Sequence, residues 1–324
     1  ESCSAEGQSV SRRVVIVGGN AGGMSTATRL RRLDEEADIV VLERGEHVSY
    51  ASCGLPYHLS GEVAEDELAV LTPDRIEAMF DVDVRTGHEV VDVDTDGKSV
   101  GVETPAGPTS VEYDDLVLAP GAAPVVPPIE GLDSVETHTL RSVEDATAIR
   151  DRVDDAAGDR ALVVGAGYIG LEVAETLDTA GFGVTVAEMR DRVMPRALGP
   201  GMAATVHNHL REQGVDLRLN TTVQAFRDDD RTTAVLDDGE VETDLVVLAT
   251  GVRPRTGLAE AAGLDSHESG AIRVDDRLQT SDSDVYALGD AVATPAADGG
   301  HAWVPLGGPA NRQGRVLGRV LAGR

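Results

Sequence analysis

The sequence predicts an α/β protein built from two three-layer, doubly wound units, the second inserted into the first. Three observations predict it. A short apolar strand, a glycine-rich turn and a helix occur in that order twice, from Val14 to Leu33 and from Ala161 to Ala180. Each copy continues into a second short strand that ends in an acid, Glu43 in one and Glu188 in the other. Each unit then closes on a similar apolar strand, Leu116-Val117-Leu118-Ala119-Pro120-Gly121 and Leu245-Val246-Val247-Leu248-Ala249-Thr250-Gly251, so the chain crosses between units twice.

In the first copy, Val14 to Val17 reads as a buried strand, Gly18-Gly19-Asn20-Ala21-Gly22-Gly23 as the turn and Met24 to Leu33 as the helix. The strand Ile39 to Leu42 brings Glu43 twenty residues past Gly23. That spacing matches a dinucleotide fingerprint of Rossmann-like units: glycines let backbone N–H groups approach a pyrophosphate at a helix N-terminus, and the acid holds a ribose hydroxyl. Asn20 stands where the pattern has its middle glycine. Alternation of apolar and polar residues from Thr86 to Pro108, with Asp96-Gly97 between two runs, predicts a hairpin. Ala122 to Pro128, with three prolines, reads as the crossover.

The second copy has all three glycines, Gly165, Gly167 and Gly170, followed by a helix from Leu171 and a strand Val184 to Glu188. Glu188 favours a free 2'-hydroxyl and hence NADH, while Arg190 and Arg192 leave NADPH open. Short strands with a turn at Asp238-Gly239 fill Val215 to Asp244. After the second closure, Val285 to Asp290 reads as a strand ending in an aspartate, and Gly307 to Arg315 leads into a last helix. The expected division is a polar tail at 1–12, one dinucleotide-binding domain at 13–121 and 250–324, and a second at 122–249.

At 324 residues and 41% hydrophobic content the chain is long enough for two cores, and no run of 18 apolar residues occurs that would span a membrane. A net charge of −29 argues against nucleic-acid and anionic-membrane partners. Lys98 is the only lysine, a composition similar to that of proteins from salt-saturated cytoplasm, where salt screens self-repulsion. A cytoplasmic protein is expected, since Glu1 to Arg12 lacks an apolar signal region. Two cysteines, Cys3 and Cys53, exclude a disulfide scaffold and a thiolate metal cluster; Cys3 lies in the polar tail, so thiol chemistry falls to Cys53. With no neighbouring cysteine, its oxidised form is a mixed disulfide, a persulfide or a sulfenic acid.

With both fingerprints, Ala249-Thr250-Gly251, Leu288-Gly289-Asp290 and Ala310-Asn311-Arg312-Gln313-Gly314-Arg315 placed, the chain from Val14 to Arg324 resembles the pyridine nucleotide-disulfide oxidoreductases. Within them it is similar to the single-cysteine branch of coenzyme A disulfide reductases, NADH oxidases and NADH peroxidases. The peroxidases carry a histidine in the first turn, where this chain has Ala21; the run Ser49-Tyr50-Ala51-Ser52-Cys53-Gly54-Leu55-Pro56-Tyr57 is most similar to coenzyme A disulfide and persulfide reductases. The resemblance implies that 13–121 and 250–324 form an FAD-binding domain and 122–249 an NAD(P)H-binding domain, with FAD contacts at Gly18, Asn20, Ala21, Gly22, Gly23, Glu43, Arg44, Cys53, Val90, Ala119, Gly121, Gly289, Asp290 and Leu306. It implies NAD(P)H contacts at Gly165, Gly167, Tyr168, Ile169, Gly170, Glu172, Glu188 and Gly251, with Tyr168 lying over the flavin until nicotinamide displaces it. Coenzyme A contacts would be Ser25, Arg29, Arg32, Ser49, Ser52 and Asn311, with Arg29, Arg31 and Arg32 as a basic seat for phosphates, and Cys53 would be catalytic with no metal. His58 and His301 are read as structural. Reduction of oxygen, or a flavin-binding fragment that turns over poorly, are the alternatives. The family's C-terminal dimerisation domain is not in this sequence, so a fragment is expected, with a homodimer for the full-length protein.

Overall fold

The computed structural model describes residues 11–155, 160–228 and 230–324. Most of the expected polar tail, Cys3 included, lies outside the described residues. The first repeat is β1 (Arg13–Val17), α1 (Ala21–Arg31) and β2 (Asp38–Leu42). A 3-10 turn (Ser52–Gly54), α2 (Leu55–Leu59), α3 (Glu65–Leu68), α4 (Pro73–Phe80) and β3 (Asp83–Arg85) follow. The meander β4 (Glu89–Asp94), β5 (Ser99–Glu103) and β6 (Thr109–Glu112) precedes β7 (Asp115–Leu118).

Past β8 (Ala122–Pro124), β9 (Thr137–His138) and α5 (Val143–Asp155), the pattern repeats. It runs through β10 (Arg160–Val164), α6 (Tyr168–Thr179), β11 (Gly183–Glu188), α7 (Pro200–Glu212) and β12 (Asp216–Leu219). A second meander, β13 (Val223–Asp228), β14 (Thr232–Leu236) and β15 (Gly239–Thr243), precedes β16 (Leu245–Leu248). Then come β17 (Val252–Pro254), α8 (Gly257–Ala261), β18 (Ile272–Arg273), β19 (Val285–Ala287), β20 (Val292–Pro295), β21 (His301–Trp303) and α9 (Gly307–Leu321).

These elements divide into two compact units. The first comprises residues up to Tyr50, Ala69–Ala122 and Pro254–Arg324, and the second Ala51–Leu68 and Ala123–Arg253. The stretch 51–68 therefore groups with the second unit, whereas the sequence places all of 13–121 in one domain. The physical reason is packing: α2 lies against α5 and α6, with Arg150 Nη1 donating to the Leu59 carbonyl at 2.9 Å. Nothing in the local pattern of 51–68 announces those partners.

The first unit's sheet has the order β3-β2-β1-β7-β19, with every pairing parallel. Helices cover parallel sheets on both faces, which is why β1 is Val-Val-Ile-Val after its first residue and buries all four. The second unit's sheet, β12-β11-β10-β16-β9, is parallel in the same way. In both, the strand order reverses direction beside the first strand of the repeat, the switch point where ligands bind outside the carboxyl ends of open sheets. The first predicted hairpin forms with Asp94 opposite Ser99 across Asp96-Gly97. The second turns one residue earlier than expected, over Asp237-Asp238, because Leu236 pairs with Gly239, whose φ of +141° suits glycine.

Candidate active site

The two glycine turns are the same device built twice. After β1 the chain turns at Gly18 with φ +107°, and after β10 at Gly165 with φ +106°. A Cβ on Gly18 would strike the Ala119 carbonyl oxygen past β7, and one on Gly165 the Ala249 carbonyl oxygen past β16. The third glycines, Gly23 and Gly170, lie so close to the Gly18 and Gly165 carbonyls that no Cβ fits between helix and turn. The acids complete the turns. Glu43 accepts N–H bonds from Gly19 at 2.8 Å and Gly45 at 2.9 Å, and Glu188 accepts them from Ala166 and Arg190, both at 2.8 Å. Each carboxylate spends one acceptor site per oxygen on the protein and keeps acceptor capacity for a ribose diol.

The middle position behaves differently. Asn20 has φ −104° and Gly167 φ −80°, both extended, so the backbone does not require glycine there. A Cβ on Gly167 meets nothing within 4 Å. Asn20 is thus compatible with the first turn, and the space at Gly167 is what a ligand would enter. The first N–H groups of α1 and α6 have no acceptor within their own helix and sit at the mouth of each turn. First and third glycines closed to a Cβ, helix donors without an intrahelical acceptor and an anchored acid form a set that fits a dinucleotide in each unit.

Several other residues read as FAD contacts gather at the first turn. Gly22 touches Leu288, whose side chain would occupy the place of a Cβ, and so brings the 3-10 turn Gly289–Ala291 to the start of α1. That turn is held from two sides: Gln313 Oε1 on α9 accepts the Gly289 N–H at 2.7 Å, and Trp303 Nε1 on β21 donates to the Asp290 carbonyl at 2.8 Å. Neither role was foreseen from sequence. Gln313 belongs to the Ala310–Arg315 motif, whose pattern gives it no partner, and Trp303, the only tryptophan of the sequence, carries no local signal. Ala21 begins α1, Gly121 follows β7 with φ +71°, and Leu306 is the exposed residue preceding α9. Val90 is a core residue of the meander, and exposed Arg44 sits 3.9 Å from Glu89.

Of the residues read as coenzyme A contacts, Ser25 and Asn311 meet directly, Ser25 Oγ donating to Asn311 Oδ1 at 2.7 Å. They meet because α9 lies on α1 through Gly314 and Gly318, whose absent Cβ atoms would stand 2.6 Å from Ser25 Cβ and 2.8 Å from Arg29 Cβ. Arg29 shares this contact, and its Nε is buried without a partner among the described residues. Exposed Arg32 stacks 5.3 Å over Phe80. Arg31 does not belong with them. Its guanidinium donates to the carbonyls of Phe80, Glu35 and Asp81 at 3.0, 2.6 and 2.7 Å, which makes it a strut rather than a phosphate seat. Ser49 has a left-handed backbone and donates its N–H to the Gly19 carbonyl in the first turn at 2.9 Å.

Cys53 lies in the turn Ser52–Gly54, exposed and in no disulfide. The helix it leads into, α2, has only five residues, so its dipole at the cysteine is weak. The turn is backed by α6, against which α2 packs: the Thr176 hydroxyl, which bonds the Glu172 carbonyl at 2.9 Å, also lies 3.4 Å from the Pro56 carbonyl. The cysteine segment thus rests on the helix that starts at the second glycine turn. Tyr168 is exposed as the first residue of α6, followed by Ile169; the carbonyl of Gly251, whose φ is +114°, accepts the Val125 N–H at 2.9 Å. Glu172, on the same helix, has its carboxyl pushed above the usual range by desolvation and then by Glu175. His58 is buried, with Nδ1 bonded to the Val63 carbonyl at 2.9 Å, and His301 lies 3.2 Å from the Val274 carbonyl.

A family model described as pyridine nucleotide-disulphide oxidoreductase matches residues 12–313. The chain belongs to that family. Its class, an NAD(P)H-dependent disulfide oxidoreductase, and its cofactors, FAD with NADH or NADPH, agree with the membership. It is similar to the NAD(P)H sulfur oxidoreductase (CoA-dependent) of Pyrococcus abyssi, 39% identical over 97% of this chain and 70% of that protein. Among solved structures, the reduced CoADR-RHD of Bacillus anthracis matches with a TM-score of 0.93 and 39% identity over 97% of this chain and 57% of that one. The water-forming NADH oxidase of Lactobacillus brevis, bound to NADH, matches with a TM-score of 0.90 and 33% identity over 96% and 69%. This chain therefore spans little more than half of the Bacillus chain. No helix among the described residues is long and apolar enough to cross a membrane.

Proposed function

We propose that the chain is an FAD-dependent NAD(P)H oxidoreductase that reduces coenzyme A disulfide, or a coenzyme A persulfide, through Cys53. The observation that carries the reading is the exposed, unpaired Cys53 four residues past Ser49, whose N–H is bonded within the first glycine turn. Four residues of chain reach at most about 14 Å, so the sulfur is tethered to that turn. FAD, when bound, supplies the two-electron carrier between NAD(P)H and sulfur. The first turn, with Glu43 and the Gly289–Ala291 turn, holds it, and the second turn with Glu188 holds the nicotinamide nucleotide. In this division the unit carrying the first turn is the FAD-binding domain and the other the NAD(P)H-binding domain.

The Cys53 sulfur attacks one sulfur of coenzyme A disulfide, the S–S bond breaks, and one coenzyme A thiolate leaves. Two electrons then split the resulting mixed disulfide, the second coenzyme A leaves as its thiol after taking a proton, and the Cys53 sulfur is restored. Ser25 and Asn311, brought together by α1 and α9, with Arg29 and Arg32 nearby in sequence, form the seat of the substrate's phosphates. Cys53→Ser is the test: NADH oxidation supported by coenzyme A disulfide should fall at least a hundredfold while bound FAD is retained. Turnover of the variant at the wild-type rate would refute the reading. Likeness to an NADH oxidase favours a second reading, electron transfer to oxygen, which NADH-dependent oxygen uptake without disulfide would reveal.

A further inference from the structure

The segment after Glu188 is the part of the second nucleotide site that the glycine turn does not itself explain. It holds Arg190, exposed and two residues from the acid, and Arg192, whose Nη1 forks both Asp191 oxygens at 2.9 and 3.0 Å. Met194 adopts φ +45°, a left-handed backbone that a bulky residue keeps only where its surroundings hold it. Two neighbouring hydrogen bonds do so. The Met194 N–H donates to the Ala166 carbonyl in the turn at 2.8 Å, and the N–H of fully buried Val193 donates to Nε2 of His207 on α7 at 3.1 Å. A ring nitrogen that accepts an N–H carries no proton, so His207 is neutral here with its hydrogen on Nδ1.

We propose that His207 is a pH-responsive positioning residue of the nicotinamide-nucleotide site, holding the Glu188–Met194 segment in place through the Val193 N–H and releasing it when Nε2 is protonated. The inference rests on the reading of the second turn as that site. A proton taken from solvent turns the acceptor into a donor facing another donor, so the bond cannot survive. The segment is stitched to both parts of the ribose end of the site: Arg190 donates its N–H to Glu188, and Met194 to Ala166, the residue whose own N–H holds Glu188. Loosening Val193 therefore disturbs the acid and both arginines together. The charged groups that act on the ring are Asp191 on the segment and Arg211 one turn along α7; Arg192 pairs with Asp191, and β12, against which α7 packs, carries the Asp216–Arg218 ion pair. Burial and then Arg211 push His207 below the ordinary histidine range, with Asp191 opposing, so the latch stays closed at neutral pH and opens in acid.

The test uses the FAD-loaded protein titrated with NAD+, which has no group of its own titrating between pH 5.5 and 8, both pH values chosen to bracket the histidine range. The wild type should bind NAD+ roughly 3- to 10-fold more weakly at pH 5.5 than at pH 8, the worth of one hydrogen bond. His207→Gln, which can accept through its amide oxygen without titrating, should bind as the wild type does at pH 8 and show no such loss. His207→Leu should bind weakly at both values, with faster amide exchange at Val193 than in His207→Gln. An equal pH response in the wild type and His207→Gln overturns the proposal, as does tight binding by His207→Leu at pH 8. Failure of the wild type to bind NAD+ at pH 8 would instead overturn the reading of the second turn, and this proposal with it.

Discussion

The contrast between Gly170 and Gly167 offers a sharp test of how the second turn works. In Gly170→Ala the new Cβ lands on the Gly165 carbonyl oxygen, a backbone atom in a turn that cannot swing aside as a flexible side chain would. Overpacking of this kind costs about 1–3 kcal/mol. Alanine's helix preference over glycine returns at most about 1 kcal/mol, so the clash wins and a net loss of about 1–2 kcal/mol is expected. In a unit of roughly 150 residues that lowers the melting temperature by about 2–8 °C. Gly167→Ala is the control, since its Cβ meets nothing and φ −80° suits alanine. Its stability should stay within about 0.5 kcal/mol of wild type. Its Cβ, however, stands where the nucleotide approaches, and NAD+ binding should weaken about tenfold or more, equivalent to about 1.4 kcal/mol. Thermal unfolding and NAD+ titration of the two variants check both arms. A Gly170→Ala protein that melts with the wild type, or a Gly167→Ala protein that is destabilised yet binds normally, would refute the reasoning.

Trp303→Phe keeps a ring but removes the N–H donated to the Asp290 carbonyl. Loss of that bond, worth about 1 kcal/mol, should reduce FAD retention severalfold, read as flavin absorbance after gel filtration; unchanged retention would show that the clamp on the Gly289–Ala291 turn is idle. Glu172→Gln addresses charge. Because desolvation, then Glu175, raises the folded carboxyl above its ordinary 4.5, ionisation favours unfolding, and stability is lost as pH rises from 4.5 through the raised value. The variant should melt higher than the wild type at pH 8 and alongside it at pH 4. The gain should be small, since this exposed side chain is screened by solvent.

The sequence by itself determined both glycine turns, the acids that anchor them and the strand order's repeated unit, because these depend on residues within about 25 positions of one another. Positive φ demands glycine at Gly18 and Gly165, and the carbonyls of those same two residues, five positions back, demand it at Gly23 and Gly170, so these demands are written locally. Tertiary structure alone decided which distant side chains serve those turns. Trp303 and Gln313 clamp Asp290's turn from separate elements, Arg31 spends its donors on carbonyls some fifty residues away, and Thr176 supports Pro56 across 120 positions. No periodicity marks such partners. A hydrogen bond between residues far apart in the chain depends on where packing brings helices and strands together, and that placement follows from the cores of the two units rather than from any short run of residues.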